Sequence, residues 1–170
     1  AIESGADIIK FQTFKANQLA SKKAPKAAYQ LAQTDHGETQ YEMLRRLELS
    51  EKDHRTLLDH CTSRGITFLS TPFDETSLDL LVNKFQLPLI KLGSGELTNA
   101  PLLLAAARTG KPLILSTGMG TLGEVEQALG VLAFGFGQVD EYPSIGGFVR
   151  AYADPIYRGA MAHKTTLLHC

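Results

Sequence analysis

"PLIKLGSGELTNAP", residues 88–101, begins as an apolar strand and ends as a turn into a helix. Lys91 interrupts the apolar run, and Gly93-Ser94-Gly95-Glu96 follows at once. Side chains on a strand alternate between two faces, so Leu89 and Lys91 share one face while Ile90 and Leu92 share the other. Asn99, with Pro101 just inside, marks a helix start, and the Leu/Ala-rich run that follows ends at Gly110. The stretch reads as strand, turn and helix, with a cation and a flexible polar turn at the strand's C-terminal end.

The same pattern repeats on both sides. Residues 7–13, 66–70, 87–92, 112–116 and 165–169 are short, nearly continuous apolar runs, as expected of parallel strands covered by helices. Gly5 closes a helix end just before the first of them. Ser50-Glu51-Lys52-Asp53 resembles a capping box, with aspartate in the place of the usual glutamate or glutamine, which weakens the signal. The helix it opens puts His54, Leu57, Leu58 and Cys61 on one face, and Gly65 closes it. Asp74 caps a helix that buries Leu78, Leu81, Val82 and Phe85; Thr121-Leu122-Gly123-Glu124 is a cleaner capping box ahead of Val125, Leu129 and Leu132. Right-handed crossovers between such units give a parallel α/β sheet. The spacing suits a partial (β/α)8 barrel and also a doubly wound sheet, and five strands do not close a barrel. Two connections are long. Residues 14–49, with Lys15, Lys22, Lys23 and Lys26, read as a solvated loop with a short helix or as a lid; residues 134–163, rich in Gly, Tyr and Pro, read as an insertion with a short helix.

Composition narrows the class. With 44% hydrophobic and 21% charged residues in a chain of 170, this is one folded domain or part of one. A net charge of −1 gives no electrostatic footprint for nucleic acid or a membrane surface. No apolar stretch approaches the roughly 20 residues that cross a bilayer. Two cysteines, Cys61 and Cys170, lack metal-finger spacing and fit a reducing cytoplasm. The histidines carry little signal: His36 and His60 read as exposed, His163 lies in the insertion, and His169 ends a strand.

Active residues of parallel α/β folds gather at the C-terminal ends of strands. Here the runs end in Lys10-Phe11-Gln12-Thr13, Ser70-Thr71-Pro72-Phe73, Lys91 through Glu96, Ser116-Thr117-Gly118-Met119 and His169-Cys170. Alternation places Lys10 and Gln12 opposite Ile9 and Phe11, so Lys10 and Lys91 are expected to enter one interior. A buried ammonium needs a carboxylate or an anion, or gives up its proton. The two lysines with Thr71, Ser94, Ser116 and glycine-exposed N–H groups make a cradle for phosphate and carboxylate. Each lysine taken alone equally suits a snorkelling or ion-paired role. Glu96 suits both a helix N-terminal acid and a carboxylate that orients a hydroxylated substrate or moves a proton.

With these residues placed, the chain resembles the sialic acid synthase family, the phosphoenolpyruvate-condensing N-acetylneuraminate synthases. The resemblance lies in "GADIIKFQTFKANQL", "GITFLSTPFDETSLDLL", "IKLGSGELTNAPLL", "GKPLILSTGMGTLGEVEQAL" and "TTLLHC", in the family's order; residues 27–48 and 134–163 match least. It implies a (β/α)8 barrel that joins phosphoenolpyruvate to an N-acylated hexosamine aldehyde and releases phosphate. The family's phosphoenolpyruvate contacts fall on Lys10, Thr71, Lys91, Ser94 and Ser116, and its positions near the acceptor sugar fall on Gln12 and Glu96, the expected catalytic pair.

The resemblance also implies a divalent metal, manganese or magnesium, held by histidines beyond "LLHC", and a homodimer in the whole enzyme. The family's first strand, with a glutamate and an Asn-His motif, and its C-terminal antifreeze-like domain do not match residues of this chain. These 170 residues are therefore expected to be part of one catalytic barrel domain, without a complete metal site and without turnover on their own. The expected acceptor is N-acetylmannosamine, with a legionaminate-type diamino sugar second. Two other readings stay open: a Schiff-base aldolase or lyase using Lys10 or Lys91, and a non-catalytic phosphosugar-binding segment.

Overall fold

Strands β1 (Ile8–Thr13), β2 (Thr67–Pro72), β3 (Ile90–Leu92), β4 (Leu113–Ser116) and β5 (Thr165–Leu168) all run in the same direction in the computed structural model, which describes residues 1–26 and 37–169. Ladders join β1 to β2 and β3 to β4 to β5; β2 and β3 pack side by side without a shared ladder. The sheet order follows the chain order, as in a barrel wall rather than a doubly wound sheet. His36, Cys170 and the 27–36 part of the long basic connection lie outside the described residues. None of the described helices is long and apolar enough to cross a membrane.

The helices of the described residues are α1 (Ala16–Leu19), α2 (Gln40–Leu47), α3 (Glu51–Ser63), α4 (Glu75–Asp79), α5 (Ala100–Arg108), α6 (Leu122–Phe136), α7 (Ile145–Ala153) and α8 (Pro155–Lys164); α1 packs on α2, and α3 to α6 pack on one side of the strands. Their starts follow the expected chemistry. Thr121 and Glu124 bond reciprocally, at 3.3 Å and 2.7 Å. The shorter Asp53 still closes its box with Ser50, at 3.2 Å and 2.8 Å, so the cap expected to be weak is complete. Thr39 and Glu42 form a third such box at the start of α2. α4 passes into a single π turn, Leu80–Lys84, that buries Leu81 and Val82.

Two clusters form the core. In the larger, Ile90, Leu92, Leu113 and Leu115 meet Leu102, Leu103, Leu132 and Phe134 from α5 and α6. In the smaller, Phe68, Ile66, Cys61 and Phe85 are joined by Ile9 and Phe11. Each buried side chain of this size contributes about 1.5–3 kcal/mol.

Three expectations are corrected. The strand expected over 87–92 is only three residues long, because Gln86 takes a left-handed φ of 52° and Pro88 has no N–H for a ladder. The second strand runs on to Pro72 instead of ending at residue 70. Residues 134–163 hold more helix than the one short helix expected: α6 continues through Phe136, and α7 and α8 follow. The glycines there permit close packing rather than loops. A Cβ on Gly147 would lie 3.1 Å from the Phe134 ring, and Pro155 stands in the first turn of α8 behind its cap, Asp154.

Gly135 gives a test of this packing. It is buried in α6, where alanine is ordinarily favoured by about 1 kcal/mol. An added Cβ would meet the Ala107 methyl at 2.5 Å, and that methyl cannot swing aside. Gly135→Ala is expected to lower unfolding stability in urea by about 1–3 kcal/mol, against a gain if α5 and α6 were loosely packed. A second test is pH. Hydrogen bonds from Ser50 hold the Asp53 carboxyl below its usual range, and those from Thr121 do the same for Glu124. The stabilisation is full above the ordinary carboxylate value, near pH 4, and is lost as pH falls through the lower folded value. Thermal melts should show Ser50→Ala and Thr121→Ala costing stability at pH 7 and progressively less on acidification.

Candidate functional site

Because all five strands point one way, their C-terminal ends share one rim. Ile9 and Phe11 pack on the helix side, and Lys10 and Gln12 lie on the opposite, inner face. Gln12 pairs with Thr71 in the β1–β2 register, one step above the pair of Lys10 with Leu69. Ile90 and Leu92 pack into the large cluster, which turns Lys91 to the inner face beside Ile114. Leu113 and Leu115 do the same for Ser116.

The structure brings Lys91 and Ser116 together. The Lys91 ammonium donates to Ser116 Oγ at 2.6 Å and to the Leu92 carbonyl at 2.6 Å. Gln12 and Thr71 are direct neighbours across β1 and β2, with Thr71 buried and Gln12 exposed. Ser94 starts the one-turn 3-10 helix Ser94–Glu96 directly after β3. Lys10 stands two strands from Lys91.

The burial of the lysines differs from expectation. Lys10 is exposed and Lys91 half-buried, so neither ammonium is enclosed in an apolar interior. The inner face along β1 is open to solvent, and water carries the Lys10 charge there.

Glu96 is tied to the helix start. Asn99 donates from Nδ2 to Glu96 Oε2 at 2.8 Å and accepts the Leu102 N–H on Oδ1 at 3.3 Å. One carboxylate oxygen therefore serves the α5 cap, while the half-exposed side chain remains beside Ser94 in the same turn. His169 follows β5 with Nδ1 3.2 Å from the buried Thr117 hydroxyl.

Sequence reasoning missed the supports beneath the rim. Thr13, Ser70 and His54 form a buried hydrogen-bonded chain on the helix side. Asp74 was expected only as a cap. It also accepts the Lys15 N–H at 3.0 Å, while Ser77 donates to it from both N–H and hydroxyl. Glu48 accepts the Ala16 N–H at 2.6 Å. Polar residues on the helix-facing parity of β1 and β2 were the available signal. Among the described residues, no three His, Cys, Asp or Glu side chains converge where they could hold a metal ion. These residues do not fit a metal centre by themselves.

The NeuB family model matches residues 1–170. The chain belongs to the NeuB family. Over all 170 residues this NeuB chain is 44% identical to the N,N'-diacetyllegionaminic acid synthase of Campylobacter jejuni, covering 44% of that protein. It is 42% identical to the enzyme of the same name from Legionella pneumophila, covering 42% of it. The N-acetylneuraminate-9-phosphate synthase of Drosophila melanogaster is 36% identical over 129 residues, 75% of this chain and 34% of that protein. The chain thus spans under half the length of these curated relatives. The crystal structure of N-acetylneuraminic acid (sialic acid) synthetase from Leptospira borgpetersenii superposes with a TM-score of 0.65 at 22% identity, over 98% of this chain and 55% of that one. That likeness supports the NeuB chain's fold as part of an α/β barrel.

The Asn99–Glu96 contact yields a prediction. Asparagine and aspartate are equally good helix caps in general. Here Asn99→Asp would set two carboxylates against each other in place of a hydrogen bond. We expect a loss of about 1 kcal/mol at pH 7 by urea unfolding, shrinking as pH is lowered toward the carboxylate range. A neutral substitution would contradict the contact.

Proposed function

We propose that this NeuB chain supplies the phosphoenolpyruvate-binding wall of a nonulosonate synthase, a transferase that forms a carbon–carbon bond. The observation that carries the reading is the NeuB family match over residues 1–170, a span that includes the rim. In the proposed complex, Lys10 and Lys91 offset the charge of the phosphate and carboxylate groups, and Thr71, Ser94 and Ser116 donate hydroxyl hydrogen bonds. The Lys91–Ser116 bond supports this role, because it holds the ammonium at the rim before substrate arrives. Gln12 and Glu96 face the acceptor sugar.

The reaction joins the enol carbon of phosphoenolpyruvate to the sugar aldehyde carbon. Water adds to the carbon that bears the phosphate ester, the C–O bond breaks, and inorganic phosphate leaves. The aldehyde oxygen takes up a proton, for which Glu96 is the proposed donor or relay. A manganese or magnesium requirement in the whole enzyme belongs to the family resemblance; the described residues offer no ligand set for it, and no step here runs through one. A homodimer and cytoplasmic residence belong to the same reading and rest on the family resemblance.

For the acceptor we propose a hexose carrying two acetamido groups. The two relatives that align with all 170 residues, α7 and α8 included, make N,N'-diacetyllegionaminic acid. N-acetylmannosamine, the acceptor expected on sequence grounds, becomes the comparison arm. In a panel with the full-length enzyme, phosphate release should be faster with the diacetamido hexose than with N-acetylmannosamine. The reverse order would overturn the acceptor. Release with neither, under manganese or magnesium, would overturn the synthase reading. Borohydride should trap no adduct between pyruvate and Lys10 or Lys91, in contrast to a Schiff-base aldolase.

A further inference from the structure

Directly below the rim, on the helix side of β1 and β2, a polar chain runs through apolar packing. Thr13 Oγ1 lies 2.7 Å from His54 Nε2 and 2.7 Å from Ser70 Oγ, and His54 Nδ1 lies 2.8 Å from the Ser50 carbonyl oxygen. A carbonyl only accepts, so Nδ1 carries a hydrogen. In the neutral ring Nε2 is then the acceptor, so Thr13 donates to His54 and Ser70 donates to Thr13. Each hydrogen of the chain has one acceptor. His54 is 0% exposed, Ser70 1% and Thr13 3%, so water does not compete. The ring is stacked on Phe85, with centroids 5.6 Å apart, and meets Phe68 edge-on.

The Thr13–Ser70 bond is diagonal. In the strand register Thr13 stands opposite Pro72, and Ser70 stands opposite Phe11. A diagonal bond fixes how far β1 and β2 slide along each other, which a single ladder bond does less well. The residues next to the bonded pair are Gln12 and Thr71, which face each other on the inner side. The chain is anchored through Ser50, the cap of α3, so the rim height is referred to a helix.

We propose that His54 is a positioning residue: through Thr13 and Ser70 it sets the height at which Gln12 and Thr71 present their side chains to substrate. The substrate clause rests on the functional reading above. Two substitutions separate positioning from packing. His54→Gln keeps an amide oxygen within reach of Thr13, whereas His54→Asn reaches only the Ser50 carbonyl; both lose the ring stack on Phe85. His54→Asn should lose more stability in urea than His54→Gln, because it leaves the buried Thr13 hydroxyl without its acceptor, so exchange is read relative to amides of β4, which lie outside the polar chain. Amide hydrogen exchange at Thr71 and Phe73 should be about tenfold faster in His54→Asn than in His54→Gln. The Kd for phosphoenolpyruvate, by calorimetry on the full-length enzyme, should rise about tenfold in His54→Asn and less than about threefold in His54→Gln. Equal exchange in the two variants would overturn the positioning role. If the exchange contrast holds but the unsubstituted full-length enzyme binds no phosphoenolpyruvate, the register role stands and the functional reading fails. Should His54→Asn not fold, Thr13→Ser against Thr13→Val supplies the same contrast.

Discussion

Lys91 sits between two packed neighbours, Ile90 and Leu92, and its ammonium has to find oxygen. Period-two alternation sends it to the inner face, and the adjacent strand supplies Ser116 at 2.6 Å. The parallel direction of the strands makes that contact part of a rim rather than an isolated bond. Lys10, Gln12 and Thr71 follow from the same two constraints, while Ser94 and Glu96 sit in the turn after β3. Apolar residues of one parity fill the helix side, so residues of the other parity meet at the open face, and the polar ones lie toward the C-terminal ends.

Beneath that rim the loops are fastened by backbone hydrogen bonds to carboxylates. Asp74 grips the Lys15 N–H and the first turn of α4 together, and Glu48 grips the Ala16 N–H. Lys26 is buried with its ammonium 2.9 Å from Glu38, which also pairs with Arg46. The basic connection after β1 is thus held by specific charges where it is described, not merely solvated. Such anchoring keeps strand ends steady enough for the tenths of an ångström that substrate orientation demands.

Strand order, helix starts and the polarity of the rim were legible because they depend on neighbours in sequence. Asp74, Asn99 and Thr121 cap the helices they were expected to cap. Lys10, Gln12, Lys91 and Ser116 fall on the parity that alternation assigns. The misreadings came from properties set by distant packing. Glycine and proline in residues 134–163 signal loops locally, yet Gly147 lies where α6 and α7 press together, beside the edge-to-face pair Phe134–Phe148. His54 was visible as one residue of a helix face, but its partner Thr13 is 41 residues away, and Ser70 bonds Thr13 from 57 residues away. The exposure of Lys10 depends on what covers β1, which no local pattern records.

In the proposed function the ends of β1 to β4 form one anion-binding wall. A crystal structure of the chain soaked with phosphoenolpyruvate measures this most directly. The account predicts the phosphate and carboxylate groups against Lys91 and Ser116, with Thr71, Ser94 and Lys10 completing the contacts. Phosphoenolpyruvate bound elsewhere, or a rim empty at saturating concentration with Lys91 still on Ser116, would contradict it.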